Sequence, residues 1–407
     1  MSDDSSSTFM HRLDPRGKLT FKGTTTLGQV TGFGIEYFPN GYLKLMGSLQ
    51  DGLPHGKDIV QFHPDGRKRY FGSFSTGNWS GLGTLYYPNS NPMLCGSFAD
   101  GTLLDGEITL YHKNSGHLKY QGGFKDSIRQ GQGTEFWESG EVKFENGLWE
   151  NDILNGPAVK MYSNAGVLIF EGTFRDGERE GPGKEFYETG ELKIEAENFM
   201  GGQANSGNCK IYWREGGVKY EGGMKNGKPH GAGKMYRESG KVKFDGEFMD
   251  GCPHGLMCKC FFENGNMEYQ MRLVKGQKTG FGKIFYESNG KVKIEGDFKE
   301  NKVHGKNIKF YYENGNIQFN GDFENNLPIG VCKMFHCDGQ LKYEGMLNNG
   351  KPHGPGQEYD EKGQLKFVGN YENGELTGSD TRLYSNGKLM TSGTYSKGGK
   401  SIYFSDK

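Results

Sequence analysis

Hydrophobic and polar residues alternate in short runs that recur along the chain. In the run Val242–Phe248, the residues Val242, Phe244 and Phe248 fall on one side, and charged residues stand between them. Alternation with a period of two is typical of a β-strand with one buried and one exposed face. A second short run follows and ends in an aromatic residue, here Phe261. The pattern therefore predicts pairs of short strands, with the closing aromatic residue of each pair in the core.

These pairs of runs repeat with a period of about 25 residues. We anchor each repeat on one residue in the middle of its first run, which is glycine in most repeats. The anchors are Gly23, Gly47, Gly72, Gly96, Gly122, Asn146, Gly172, Ala196, Gly222, Gly246, Met271, Gly296, Gly321, Gly345, Gly369 and Gly393. A fixed period of this length predicts a repeat architecture in which each repeat packs mainly against its neighbours.

Two kinds of turn separate the runs. The tight turn, as in Glu263–Gly265, supplies the left-handed glycine that closes a short hairpin. The longer turn, as in Asn226–Gly231, contains a proline that does not fit a central strand. We therefore predict an all-β fold, an elongated single-layer antiparallel β-hairpin array (a meander ribbon) of about 15 repeats. Each anchor glycine should leave room for a neighbouring aromatic ring to lie across the backbone.

Three segments are expected along the chain. Residues 1–17 begin with an acidic, serine-rich stretch and are predicted to be a disordered arm. Residues 18–393 form the repeat array, and residues 394–407 are predicted to be a terminal cap or tail.

The segments Tyr220–Gly240 and Tyr343–Gly363 resemble the MORN repeat (membrane occupation and recognition nexus). Both contain Tyr-Glu-Gly, then His-Gly-x-Gly, then a tyrosine and a closing glycine. The length of the repeat resembles the variant subgroup that also occurs in bacterial antitoxin-like proteins. The resemblance extends over roughly residues 19–396. It implies a single-layered hairpin array that acts as a cytoskeletal, ciliary or membrane-apposed scaffold, or as a regulatory arm of an enzyme.

Composition and charge exclude several classes of protein. The chain has 68 glycines among 407 residues, which disfavours a helical core, and its 28 Phe, 22 Tyr and 4 Trp are too many for a disordered chain. The 49 basic and 50 acidic residues do not give the positive field of a typical nucleic-acid-binding protein. No apolar run is long enough for a membrane helix, and the N-terminus does not resemble a secretory signal. The odd number of cysteines, 7, indicates a reducing, cytoplasmic setting.

A second aromatic residue directly follows the closing aromatic in seven repeats. Alternation places it on the opposite face, where it either covers a sheet that has no second layer or forms an exposed stripe that docks partners. These candidate protein-binding residues are Tyr87, Trp137, Tyr187, Trp213, Phe262, Tyr286 and Tyr312.

Lysines also recur, between acidic neighbours on the predicted polar face. They are expected to form a solvated charged surface that binds anionic lipid only weakly. The lysines are Lys219, Lys243, Lys293, Lys342 and Lys366.

Neither a metal site, a cofactor site nor a catalytic site is predicted. The loop histidines His55, His230, His254, His304 and His353 recur at repeat spacing and are expected to bond to their turns. Neighbouring repeats would hold them about 10 Å apart, which is too far for one metal ion. Glycine clusters such as Gly231–Gly233 lead into strands, so they lack the helix start that binds phosphate.

The sequence therefore predicts a non-enzymatic scaffold or adaptor that binds other proteins of a large assembly and does not bind nucleic acid. The placement of that assembly in a cilium (axoneme) or another part of the cytoskeleton rests on the resemblance alone. Two alternatives remain open. One is a peripheral membrane tether that binds phosphoinositides, and the other is a regulatory or antitoxin-like partner of an enzyme.

Overall fold

The computed structural model of the chain describes residues 7–395. These residues form 36 β-strands and no helix, so the prediction of an all-β array of antiparallel hairpins is confirmed. Within this part of the chain there is accordingly no helix long and apolar enough to cross a membrane. The chain divides into two compact units, Met1–Gln203 (unit 1) and Ala204–Lys407 (unit 2), and each is described by itself.

Unit 1 is a meander of antiparallel hairpins. The strands are β1 (Thr8–Leu13), β2 (Leu19–Thr26), β3 (Gln29–Tyr37), β4 (Leu43–Gln50), β5 (Leu53–Pro54), β6 (Gly56–Phe62), β7 (Lys68–Ser75), β8 (Asn78–Tyr86), β9 (Pro92–Ala99), β10 (Thr102–Leu103), β11 (Gly106–Tyr111), β12 (Leu118–Lys125), β13 (Ile128–Phe136), β14 (Val142–Glu150), β15 (Ile153–Tyr162), β16 (Leu168–Arg175), β17 (Glu178–Phe186) and β18 (Leu192–Met200). The two-residue strands β5 and β10 each pair with the strand before them, and that strand then continues its pairing with β6 or β11.

Unit 2 repeats the same arrangement. The short strand β19 (Gln203–Ala204) contains the division between the units. The strands that follow are β20 (Cys209–Tyr212), β21 (Val218–Lys225), β22 (Lys228–Tyr236), β23 (Val242–Met249), β24 (Cys252–Phe261), β25 (Met267–Val274), β26 (Gln277–Phe285), β27 (Val292–Lys299), β28 (Lys302–Val303), β29 (Gly305–Tyr311), β30 (Ile317–Glu324), β31 (Leu327–Phe335), β32 (Leu341–Asn348), β33 (Lys351–Tyr359), β34 (Leu365–Glu372), β35 (Glu375–Ser385) and β36 (Lys388–Tyr395).

The segment predicted to be a disordered arm contains strand β1. This strand pairs antiparallel with β2, from Thr8 opposite Thr25 to Leu13 opposite Leu19. The hydroxyl groups of Thr8 and Thr25 are 3.0 Å apart, and Met10 packs against the core of unit 1. An edge strand such as β2 offers unpaired backbone groups to any extended segment nearby, which the composition of residues 1–17 did not reveal. Residues 1–6 of that arm and residues 396–407 of the predicted cap lie outside the described residues.

The large aromatic residues of the core come mainly from the first strand of each hairpin, and smaller residues of the second strands, such as Ile59 and Ile308, complete it. In unit 1, the ring of Tyr70 packs edge-to-face against Phe74 of its own strand, at 5.3 Å between centroids, and against Phe98 of the next hairpin, at 5.5 Å. In unit 2, Tyr220 packs in the same way against Phe248, at 5.4 Å. Each such aromatic pair contributes about 0.5–1.5 kcal/mol beyond the burial of its area. Neighbouring hairpins are therefore joined through rings as well as through backbone hydrogen bonds.

The predicted role of the anchor glycines is confirmed in the best-formed repeats. The ring of Tyr220 lies against Gly222 and Gly233, where an added Cβ would collide with the ring and with the paired backbone. The Tyr220 hydroxyl donates to the carbonyl oxygen of Gly223 at 2.6 Å. The core ring therefore lies flat over two strands because neither strand has a side chain beneath it.

Candidate protein-binding surface

A β-bulge lies near the start of the first strand in each of the five repeats for which a recurring lysine was noted. The strand pairing skips one residue there, and the skipped residues are Lys219, Lys243, Lys293, Lys342 and Lys366. A bulge inserts an extra residue and redirects its side chain.

The five lysines therefore do not follow the simple alternation that was used to place them on the polar face. Four of them are exposed, and Lys219 is half-buried. Two of the five lysines lie over rings of the candidate set. The Nζ atom of Lys219 is 4.4 Å from the ring centroid of Trp213, and that of Lys293 is 5.3 Å from the centroid of Tyr286.

The aromatic residues that close the second strands are not core residues, contrary to the prediction. There are fifteen of these residues, one in each repeat from Tyr37 to Tyr384. All of them are half-buried, and none belongs to the buried core. The hydroxyl groups of Tyr162 and Tyr311 donate to the carboxylates of Glu145 and Glu295, both at 2.8 Å. Glu145 and Glu295 alternate with inward-facing residues of their strands, so this face is the polar one. Tyr162 and Tyr311 therefore lie on the polar face, which is opposite to the face predicted for them.

The seven candidate residues each lie directly after the second strand of a hairpin, at the start of the tight turn. All seven are half-buried. Their role in docking partners stays a prediction. Tyr87, Trp137 and Tyr187 belong to unit 1, and Trp213, Phe262, Tyr286 and Tyr312 belong to unit 2.

Most of the polar side-chain groups at this position form a hydrogen bond to the backbone of the next hairpin. Trp137 Nε1 donates to the carbonyl oxygen of Tyr162 at 3.1 Å, and the hydroxyl of Tyr286 donates to the carbonyl oxygen of Tyr311 at 2.6 Å. The hydroxyl of Tyr312 donates to the carbonyl oxygen of Phe335 at 2.9 Å. In each case the acceptor is the closing aromatic residue of the following hairpin.

Sequence reasoning missed this structural role, although a signal was present. Repeats without an aromatic residue at this position often carry another hydrogen-bonding side chain. His112 Nε2 lies 3.1 Å from the carbonyl oxygen of Phe136, and a guanidinium nitrogen of Arg237 donates to that of Phe261 at 2.7 Å. Because several repeats have a hydrogen-bonding side chain at this position, the sequence indicates that the position connects each hairpin to the next by a hydrogen bond.

Trp137 also belongs to a chain of charged contacts in unit 1. Lys143 Nζ is 4.7 Å from the Trp137 ring centroid and 2.8 Å from a carboxylate oxygen of Glu135. Glu135 pairs with Arg129 at 2.9 Å, and the Arg129 guanidinium lies 3.7 Å from the ring centroid of Trp149. The surroundings of Trp137 are therefore filled by partners within its own unit.

Trp213 differs from Trp137 although it occupies the same repeat position. Its Nε1 atom is buried and has no hydrogen-bond partner among the described residues. Trp213 lines a cavity of about 340 Å³ together with Lys219, Lys243, Arg237 and Glu263. Arg237 Nε lies 3.0 Å from a carboxylate oxygen of Glu263, and in the part of the chain that the structure describes the two lysines form no ion pair.

A second cavity of unit 2 has the same elements. It measures about 720 Å³ and is lined by Phe262, Tyr286, Lys293 and Glu313, among others. The structure thus brings three of the seven candidate residues, together with three of the recurring lysines, into two cavities at the tight-turn side of their hairpins.

Two of the loop histidines and two of the cysteines have structural roles. Nδ1 of His55 and Nδ1 of His254 each accept a hydrogen bond from a backbone N–H of the next hairpin, at 3.5 Å. Burial raises the pKa of Cys258, and raises that of Cys332 to about 12, so neither thiol is activated as a nucleophile. Within residues 7–395, no cluster of three or more His, Cys, Asp or Glu side chains could hold a metal ion.

Comparison with known protein families identifies the repeat. The MORN repeat model matches residues 70–91, 120–142, 170–191 and 220–242, and the MORN repeat variant model matches residues 307–325 and 352–373. The chain is a MORN repeat protein. MORN repeats generally take part in protein–protein or membrane interactions and are typically non-catalytic.

Solved structures match this MORN repeat protein over most of its length, at low similarity. The crystal structure of TcdB2-TccC3 is 10% identical, with 94% of this chain and 23% of that chain covered and a TM-score of 0.16. The crystal structure of TcdB2-TccC3-Cdc42 is 11% identical, with coverages of 97% and 25% and a TM-score of 0.15. The chain thus spans about a quarter of the length of these matched chains, and TM-scores of this size do not establish a shared fold. No curated protein matches the chain.

Proposed function

We propose that this MORN repeat protein is a non-enzymatic scaffold or adaptor that holds other proteins together in a ciliary (axonemal) or other cytoskeletal assembly of the cytoplasm. The single observation that carries the proposal is the cavity beside Trp213. Among the described residues its two lysines form no ion pair and the Trp213 N–H has no hydrogen-bond partner, whereas Nε1 of the equivalent Trp137 of unit 1 donates to the carbonyl oxygen of Tyr162.

The chemistry of this cavity suits a protein partner. Tryptophan and arginine are the residues that most often anchor protein interfaces, and both line it. The repeated hairpins also present similar positions at regular intervals. A chain that engages one partner at several such positions gains affinity through multivalency without any single strong contact. The cytoskeletal setting comes from what MORN repeat proteins commonly do, and the residues themselves do not specify it.

Partner capture from ciliated cells tests this proposal. The tagged full chain, its Trp213→Ala variant and its Trp137→Ala variant are compared by affinity purification and quantitative mass spectrometry. We expect a defined set of axonemal or other cytoskeletal proteins to be lost with Trp213→Ala and retained with Trp137→Ala. Circular dichroism and melting temperature check that both variants fold. Equal recovery of the same proteins by folded Trp213→Ala and by the unmodified chain would contradict the proposal.

A further inference from the structure

The bulge lysines of this chain differ in what faces them. At Lys366 the facing residue is Glu358, whose carboxylate accepts a hydrogen bond from the hydroxyl of Tyr371 at 2.6 Å. At three other bulges the facing glutamate forms an ion pair with the lysine. These pairs, all in unit 1, are Lys44 with Glu36 at 2.9 Å, Lys143 with Glu135 at 2.8 Å and Lys193 with Glu185 at 2.5 Å. Their charges are therefore neutralised inside the fold.

In unit 2 the facing position is apolar in four repeats. The residues opposite the bulges there are Ile211, Met235, Ile284 and Met334. The corresponding lysines Lys219, Lys243, Lys293 and Lys342, which we call the bulge-lysine row, form no ion pair among the described residues. Lys243, Lys293 and Lys342 are exposed, and Lys219 is half-buried over Trp213. The row therefore carries positive charge that the fold of unit 2 does not neutralise.

Some acidic residues near the row are engaged elsewhere, and others stand beside it, as Glu287 and Glu313 do in the cavity of Lys293. Glu263 pairs with Arg237, and Glu268, at the bulge between Lys243 and Lys293, accepts a hydrogen bond from the Cys260 thiol at 3.3 Å. Glu238 remains in the cavity wall beside Lys219 and Lys243, so the positive charges there exceed the free negative ones. A negatively charged group entering this cavity would meet two lysines and an indole ring.

The spacing of the row limits the shape of its ligand. One hairpin adds two strands, so Lys219 and Lys243 stand about 10 Å apart and Lys243 and Lys293 about 19 Å apart. A polypeptide extended in the polyproline II conformation advances about 3.1 Å per residue with three residues per turn, so three residues span the first distance, six span the second, and side chains at these spacings share one face. Carboxylates at positions i, i+3 and i+9 of an extended segment would therefore meet the three lysines in turn.

We propose that the bulge-lysine row of unit 2 binds an extended acidic segment of a protein partner, with one carboxylate entering the cavity beside Trp213. This inference rests on the proposed function, because it names the chemistry of the partner that the scaffold holds. Unit 1 lacks such a site where its bulge lysines are paired with Glu36, Glu135 and Glu185.

Two synthetic peptides of equal composition provide the test. One carries glutamate at positions 1, 4 and 10 in a Gly/Ser/Thr background, and the other carries its three glutamates at positions 1, 2 and 3. Binding to the full chain is followed by fluorescence polarisation of labelled peptide at low salt. We expect the spaced peptide to bind at least about tenfold more tightly, because it alone reaches three lysines, and its binding to weaken as salt is added.

Variants assign the binding to the row. Lys219→Met with Lys243→Met should lower the affinity for the spaced peptide about tenfold, and Lys219→Arg with Lys243→Arg should largely retain it. The matched control is Lys210→Met with Lys234→Met, which removes the same charge from unit 2 at lysines paired with Glu221 and Asp245, and it should change the affinity less than threefold. Equal loss in the control would overturn the inference, since net charge would then explain binding.

The remaining outcomes separate this inference from the proposed function. If the chain binds phosphatidylserine vesicles through the row but neither peptide, the acidic-segment inference is wrong. If neither peptide binds while Trp213→Ala still loses its protein partners, the inference fails and the scaffold proposal stands. If the spaced peptide binds but no partner is lost with Trp213→Ala, the scaffold proposal fails and the acidic site stands.

Discussion

The Tyr220 ring lies against Gly233 of the neighbouring strand, in a space that no other residue type at position 233 would leave free. The contact joins the two strands of one hairpin, and the Tyr220 hydroxyl closes it by donating to the carbonyl oxygen of Gly223. The packing of the repeat therefore depends on the absence of a side chain as much as on the presence of a ring.

A methyl group at position 233 should disrupt this packing. Gly233→Ala is expected to destabilise the chain by about 1–3 kcal/mol, because the Cβ would overlap the buried Tyr220 ring. Gly207→Ala is the matched control, since Gly207 is exposed and nothing lies within 4 Å of the added Cβ. Urea unfolding of the full chain measures both. Equal stability of the two variants would show that the ring moves aside without cost.

The two tryptophans at the same repeat position should respond differently to loss of their N–H group. Trp137→Phe removes the hydrogen bond to the Tyr162 carbonyl and is expected to cost about 1 kcal/mol. Trp213→Phe removes a buried N–H without a partner, so it should cost less or stabilise the chain. Melting temperatures of the two variants give the comparison. A larger loss for Trp213→Phe would contradict the assignment of its N–H as unpaired.

Arg129 should be sensitive to replacement by lysine. Its guanidinium pairs with Glu135 at 2.9 Å and Asp152 at 2.7 Å while it stacks on the ring of Trp149. A lysine ammonium cannot reproduce this planar, forked geometry, so Arg129→Lys is expected to cost about 2 kcal/mol. The control is Arg175→Lys at an exposed ion pair, where a change below about 0.5 kcal/mol is expected. Chemical denaturation distinguishes the two, and similar losses would argue against the network.

Glu295 should make the stability of unit 2 depend on pH. The hydrogen bond from Tyr311, followed by that from Lys283, lowers the pKa of Glu295 below its ordinary value. Because the folded-state pKa is the lower one, Glu295 stabilises the fold above the ordinary carboxyl pKa, and this contribution is lost as the pH falls through the lowered value.

The measurement is the difference in unfolding free energy between the unmodified chain and Glu295→Gln at pH 7 and at pH 3. The unmodified chain should be the more stable at pH 7, and the difference should shrink at pH 3. Tyr311→Phe should reproduce part of the effect, because it removes the main cause of the pKa shift. A difference that stays constant between the two pH values would exclude this linkage.

Much of the fold could be predicted because the sequence features that specify each hairpin lie within a single repeat. The alternation in Val242–Phe248 and the glycine of each tight turn act within a few residues, so they predict strands and hairpins directly. The role of the anchor glycines could also be predicted from the sequence, because an aromatic residue two positions away on the same strand face needs the space above the glycine. Strand β1 was not predicted, because its pairing with β2 depends on an available edge and not on its own pattern.

The face assignments needed the strand pairing itself. The bulges at Lys219 and Lys293 shift the alternation by one residue, and such a shift reverses the face of every side chain that is extrapolated across it. Nothing in the local pattern around these lysines marks the extra residue.

The sequence by itself determined the repeat, the hairpins and the family, because these follow from short-range spacing that recurs along the chain. The tertiary structure alone decided which bulge lysine is neutralised and which tryptophan N–H is used. Lys143 and Lys219 look alike in the sequence, but one faces Glu135 and the other Ile211. That difference lies in the register between two strands, and the charge that remains free at Lys219 follows from it.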